Sequence, residues 1–419
     1  MYKLLLTFRY LRRRLIPLFA LAAVTICVAM LIIVLSIMGG FQDLLANSGG
    51  KMMGDVKLFA GAQGVPRYEM LLEEIRGLPE VEEATAMIET YGLLKTPGGA
   101  VRVVSVFGIE PESLNRVTRY GQTLFWTKDR LREHHLSGAY GPFDPQDAGR
   151  TLSNPWRQTQ RNTADDPAMV MGIEISPANR RTDEGKYDVA SPYSWLALPL
   201  TLTLVPISAE GGIDPTEGRS VDQFVVVNEF HSGLYDVDSE QVYIPFAQAQ
   251  RMMRMDEADR VDPDDPFTVI GTVPARASSI AARAKEGVTA EQLREAISVR
   301  YAQIAAAHPD LLPEPYMMIR TWRQLLQRYL DTIQNEKNLM TFLFGIVSVV
   351  AVALVLVIFY MIVLEKTRDI GILRAVGASQ AGVVSIFLLY SCTIGLLGAG
   401  LGTALAVLVV YNINAIHDW

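Results

Sequence analysis

The chain has 419 residues, half of them hydrophobic, with a formal net charge of −7 and two cysteines. The apolar residues gather at the two ends and leave residues 39–338 polar, which excludes a single soluble domain and points to a membrane protein with a large water-exposed part. Cys27 and Cys392 fall inside apolar runs, so the polar middle has no disulfide framework and no Cys–Cys metal site, and no G-x-x-x-x-G-K-[ST] loop occurs to bind nucleotide.

Residues 1–17 form a basic N-terminus carrying Lys3, Arg9, Arg12, Arg13 and Arg14. The apolar run that follows exceeds the roughly 7–15 residues of a signal-peptide core and has no small-x-small cleavage site after Met38, so residues 18–38 read as an uncleaved first span. Residues 55–61 read as a strand, 68–78 as a helix, and 84–96 as a strand that turns at Pro97-Gly98-Gly99 into a second strand over 101–108. This order implies an α+β domain. The Gly-Gly pair lacks a following Lys and a helix start, which argues against phosphate binding.

Residues 118–167 change character, with many Arg, Asp, Gln, Asn, Gly and Pro, and read as an irregular insertion anchored by Trp126 and Trp156 to the domain surface or a membrane interface. His134 and His135 lie there near Asp129 and Glu133, but adjacent side chains point apart, which favours a solvated pair over a metal site. Order resumes at residues 170–175, with strands over 196–206 and 223–230 flanking a polar loop, 208–222. Asp236, Asp238 and Glu240 alternate beyond it; a calcium site needs more ligands than these, so turn and strand-edge roles are favoured. A strand follows over 267–273 and a helix over 289–307. Residues 321–338 read as a helix with Trp322, Leu325, Leu326, Tyr329 and Ile333 on one face. It runs into the second span, where it either carries motion or serves as a passive stalk.

The second and third spans, 339–364 and 380–411, contain no charged residue, and each exceeds the roughly 20 residues that cross a bilayer. Between them, residues 365–379 hold Ile370, Leu373 and Val376 at i, i+3, i+6, with Glu365, Lys366, Arg368, Asp369 and Arg374 largely elsewhere and Gly377 as a stop. That is the pattern of a short amphipathic helix across a membrane end, or of a solvated turn whose cations fix orientation. In the third span Gly398 and Gly402 form G-x-x-x-G, which lets helix backbones approach closely in lipid; residues 412–419 are a short tail. Basic residues gather at the N-terminus and in the 365–379 turn, so these are expected inside, and the acidic middle and the tail outside.

The run E-K-x-R-D-I-G-I-L-R-A-V-G-A-S at 365–379 resembles the cytoplasmic coupling helix of the FtsX-like/MacB-type ABC transporter permease superfamily. F-R-Y-L-R-R-R at 8–14, I-M-G-G-F at 37–41, V-M-G-I-E-I at 170–175 and the stretch 231–250, where Tyr235-Asp236 precede Y-x-P-x-x-x-A-Q at 243–250, are similar to the lipoprotein-releasing (Lol-type) permeases, although Gly39 stands where the family has a polar residue. The resemblance implies an α-helical integral membrane protein of the bacterial inner membrane, with a large periplasmic α+β domain between spans 1 and 2. It implies a non-catalytic permease subunit whose residues Glu365, Lys366, Arg368, Asp369, Ile370, Leu373, Arg374, Val376 and Gly377 meet a separate ABC ATPase. That partner would bind ATP and magnesium; no cofactor is expected on this chain, and no nucleic acid. A second permease, a lipoprotein substrate, membrane lipid and a periplasmic carrier complete the implied partners, the carrier contacting Ile213, Asp214, Pro215 and Thr216. The family has a fourth span, so a missing last span is expected. Two alternatives stay open: an FtsX-type regulator of a cell-wall hydrolase and a MacB-type efflux permease.

Overall fold

The computed structural model describes residues 15–412 apart from 137–139, 142, 159–165, 183–186, 190–193, 208–211, 213–217, 262–268, 310, 314–315 and 378. Its helices, in chain order, are α1 (Leu15–Met53), α2 (Tyr68–Arg76), α3 (Pro111–Val117), α4 (Tyr120–Thr123), α5 (Lys128–Glu133), α6 (Pro145–Thr151), α7 (Tyr235–Glu240), α8 (Phe246–Met252), α9 (Ala290–Ala307), α10 (Trp322–Glu365), α11 (Thr367–Ala375) and α12 (Gln380–Tyr411). The chain divides into two compact units, one from the described residues up to Leu45 together with those from Gln327 on, the other Ala46–Leu326.

The second unit is built on nine strands: β1 (Val56–Phe59), β2 (Val81–Lys95), β3 (Val101–Ile109), β4 (Ala168–Gly172), β5 (Pro199–Leu204), β6 (Ser220–Phe230), β7 (Gln241–Pro245), β8 (Ser279–Ala284) and β9 (Met318–Thr321). β2 and β3 form the hairpin expected from Pro97-Gly98-Gly99: the Thr96 amide donates to Ala100 O at 2.8 Å, the Gly99 amide to Thr96 O at 2.9 Å, and Gly99 takes φ +81°. β7 lies parallel to β3, β4 antiparallel to β7, β6 parallel to β4, and β5 antiparallel to β6. β5 then returns to the second half of β2 through Gly92↔Leu204 and Lys95↔Thr201, closing six strands into a ring. β2 is long enough to have two neighbours along one edge, because its first half pairs with β8, from which β1 and β9 continue the sheet. Gly92 permits the closure, since a Cβ there would lie 2.7 Å from Leu204 Cδ2 and 3.1 Å from Val106 Cγ2.

Alternation along the strands divides the apolar residues into two cores. Leu94, Val104, Val106, Leu202, Leu204, Phe224 and Val226 share one. Ile109, Val117, Tyr120, Leu124, Trp156, Val170, Val225 and Phe230 form the other with α3, α4 and α6. The caps are local: Thr289 and Gln292 make a capping box before α9, and Asp144 accepts from the Gln146 amide with Pro145 at the first position of α6.

Residues 118–167 correct the expectation of an irregular insertion. Their described part carries α4, α5, α6 and a 3₁₀ turn at Pro155–Gln158, and Trp126 and Trp156 are buried in the two cores rather than placed at a surface. The stretch is poor in aliphatic residues because Tyr120, Phe125, Trp126, Phe143 and Trp156 supply its apolar contacts, and an aromatic supplies more buried area than an aliphatic residue. Asp236, Asp238 and Glu240 also differ from the strand-edge expectation, lying on α7.

In the helical unit α1, α10 and α12 each contain a stretch long and apolar enough to cross a membrane. α1 continues through Gly39-Gly40 to Met53, and α10 is one helix from Trp322 to Glu365, so the helix expected over 321–338 and the second span are one element. Large apolar side chains face outward along α10, among them Phe342, Val349, Leu356 and Tyr360. A lipid environment or further helices would cover such a surface; water does so at a cost.

Candidate functional site

The charged turn is a nine-residue helix, α11, set off by breaks on both sides. Its start has no side-chain cap at Lys366, whose amide donates to Val363 O at 3.2 Å, while Thr367 Oγ1 donates to Leu364 O at 2.7 Å and seals the end of α10. Its end is set by Gly377 at φ +95°, a conformation glycine adopts without a Cβ penalty, with its amide on Arg374 O at 3.0 Å. Ser379 then caps α12 by accepting from the Gly382 amide at 3.1 Å.

Of the expected apolar face, Ile370 is half-buried, Leu373 lies in the last turn, and Val376 follows the helix and is 84% exposed. Ile372, which the i, i+3, i+6 reading passed over, is also exposed and stands four residues before Val376, one turn away on the same side. Arg368 and Arg374 are exposed, Glu365 and Lys366 border the break between α10 and α11, and Asp369 lies within α11. An exposed apolar pair flanked by cations can enter a groove with an acidic rim.

The glycine motif of α12 lies against α1. A Cβ at Gly398 would meet Val24 Cγ1 at 2.8 Å, and one at Gly402 would meet Thr25 O at 2.7 Å and Val28 Cβ at 2.9 Å. Ile394 and Ala406 are buried too and extend the stripe at steps of four residues. Thr25 Oγ1 donates to Leu21 O at 2.8 Å, which satisfies its hydroxyl inside the apolar helix. Cys27 Sγ stands 3.4 Å from Ser348 Oγ on α10, and Cys392 is exposed.

Ile213, Asp214, Pro215 and Thr216 lie outside the described residues. In the α+β unit, Asp238 is buried. It accepts from the Ser232 amide at 2.7 Å, the Gly233 amide at 3.2 Å and His231 Nδ1 at 2.9 Å, so its oxygens brace a turn. Sequence reasoning also missed Glu229, a buried carboxylate that accepts from Trp126 Nε1 at 2.7 Å and Asn179 Nδ2 at 2.9 Å. Burial pushes its carboxyl up to about 7, against the opposing pull of these two donors. A single acid at the end of the apolar run Val225 to Val227 was the available signal.

Comparison with known proteins gives three findings. Residues 341–418 match the FtsX-like permease C-terminal family. Two curated relatives are lipoprotein-releasing system transmembrane proteins LolC: that of Neisseria meningitidis is 22% identical over 420 residues, covering 97% of this chain and 82% of that protein, and that of Haemophilus influenzae is 29% identical over 102 residues, covering 24% and 26%. Among solved structures, the periplasmic region of MacB from Actinobacillus actinomycetemcomitans aligns with a TM-score of 0.36 at 11% identity, over 68% of this chain and 97% of that one. The extracellular domain of the Gram-positive transporter YknZ aligns with a TM-score of 0.32 at 9% identity, over 64% and 98%.

Proposed function

Starting from a chain similar to FtsX-type ABC transporter permeases and LolC-like along nearly its whole length, we propose that it is a permease subunit that releases lipoproteins from the bacterial inner membrane. The observation that carries this reading is the alignment with LolC over 97% of the chain. α1, α10 and α12 are the spans, the α+β unit lies on the periplasmic side, and the chain pairs with a second permease. α11 seats in a partner ATPase, with Ile370, Ile372, Leu373 and Val376 as its apolar contacts and Lys366, Arg368 and Arg374 at the rim. Binding and hydrolysis of ATP with magnesium take place on that partner. Movement of α11 changes how α1, α10 and α12 pack, and the acylated substrate passes toward a carrier that meets Ile213, Asp214, Pro215 and Thr216.

Depletion of the chain in its source bacterium, followed by membrane fractionation, tests the reading. Outer-membrane lipoproteins should accumulate in the inner membrane. Unchanged lipoprotein distribution together with a defect in cell separation or in drug efflux would contradict it, and would favour a hydrolase regulator or an efflux permease respectively.

A further inference from the structure

Glu229 is turned into the core by a defect in its strand. Along β6, Phe224 and Val226 face the first core and Val225 and Val227 the second, so uninterrupted alternation would send residue 229 toward the second. Met169 pairs with Val226 and Val170 with Asn228, which makes Val227 an extra residue, a bulge. A bulge re-aims the side chains beyond it: Glu229 meets Trp126 of the first core, and Phe230 falls in the second. A fold that inserts a residue to aim a lone carboxylate at two N–H donors departs from local consistency, and such departures mark functional or strained positions.

We infer that Glu229 is a proton-operated latch on the segment around Trp126. The donors come from separate parts of the chain, Trp126 Nε1 to Oε2 and Asn179 Nδ2 to Oε1. An ionised carboxylate accepts both. A protonated one has a hydroxyl in place of one strong acceptor, so one of the two donors then faces a weaker acceptor that has a proton of its own to place. Asn179 Nδ2 has a second acceptor in Ile173 O at 2.7 Å, whereas Glu229 is the acceptor of the Trp126 indole. A proton on Oε2 takes the indole's acceptor and loosens the Trp126 ring, while its backbone stays paired with the Asn228 side chain through bonds of 3.0 Å in each direction. The carboxyl's position near 7 puts the exchange within reach of ordinary changes in pH. The latch does not depend on the transport reading.

Other titratable or charged groups stand nearby. His134 lies edge-on to the Trp126 ring at 5.5 Å, Arg130 lies over Phe125 at 4.4 Å, Tyr187 donates to Glu174 Oε1 at 2.7 Å, and His231 pairs with Asp238. Each of the two imidazoles is therefore replaced in its own variant in the test.

The test uses the full chain in lipid nanodiscs with 5-fluorotryptophan at its five tryptophans, the Trp126 signal assigned by Trp126→Phe. Between about pH 5.5 and 8.5 that signal should shift with one midpoint near 7. Amide exchange over residues 125–131, corrected for its intrinsic pH dependence, should quicken several-fold on the acid side. Glu229→Gln should hold the acid-side signal at every pH, while His134→Gln and His231→Gln should keep the parent midpoint. A flat Trp126 signal in the parent protein would overturn the latch, as would loss of the transition in either histidine variant. If Glu229→Gln does not fold, the parent and histidine titrations decide alone.

Discussion

Glu229 illustrates how one residue can oppose the fold that holds it. Burial raises its carboxyl from 4.5 to about 7, so the folded chain binds this proton more tightly than the unfolded chain does. The sign follows: the group's contribution to stability is fully present below about pH 4.5, declines as pH rises to 7, and is constant above. The difference corresponds to about 3 kcal/mol, since a tenfold change in proton affinity is worth about 1.4 kcal/mol. Glu229→Gln lacks the titration, so its melting temperature relative to the parent should rise from pH 4.5 to 7 and then level off. A difference that stays flat across that range would show that the folded core does not raise the carboxyl's proton affinity. None of this geometry was legible in sequence, because Trp126 and Glu229 are 103 residues apart and the bulge is visible only as a register between two strands. Gly377 and the Pro97-Gly98-Gly99 turn were legible, because backbone conformation at those points is set by the residues themselves.

At the scale of elements, packing of α12 on α1 depends on the missing side chains at Gly398 and Gly402. Gly402→Leu would push atoms against Thr25 O, a backbone oxygen that has nowhere to move, and should cost about 1–3 kcal/mol or more. Gly400 has no atom within 4 Å of a Cβ, so Gly400→Leu should leave stability unchanged. Thermal unfolding of the two variants in detergent, read against the parent, checks the contrast; equal losses would mean that the crossing of α1 and α12 does not depend on close approach. The four-residue spacing made this stripe readable, although its ends at Ile394 and Ala406 were not marked by glycine. In contrast, the helices of residues 118–158 were not readable, because each is shorter than two full turns of apolar periodicity and their contacts are aromatic. Ring closure between β2 and β5 was equally hidden, since Gly92 and Leu204 lie far apart in the chain.

At the scale of the molecule, a polar middle between apolar ends was plain from composition. The α+β unit at Ala46–Leu326 is nevertheless narrower than the polar stretch 39–338, because α1 and α10 each run past the last apolar residues. Among the described residues three helices are long and apolar enough to cross a membrane, and Ile372 within α11 and Val376 just past its end are exposed, where the proposed ATPase partner would meet them. Burial of Ile372 and Val376 in that partner would contribute about 1.5–3 kcal/mol each, against about 0–1 kcal/mol for an exposed charge pair. Val376→Asp would place an unpaired carboxylate in the joint and should weaken association a hundredfold or more. The most direct measurement is therefore recovery of an ABC ATPase with the affinity-purified chain from its source bacterium, for the parent, Val376→Asp and Lys366→Ala, with membrane insertion checked for each. Stoichiometric ATPase is expected with the parent, near-parent recovery with Lys366→Ala, and loss with inserted Val376→Asp. Absence of any ATPase from the parent, or full recovery with inserted Val376→Asp, would contradict this seating of α11.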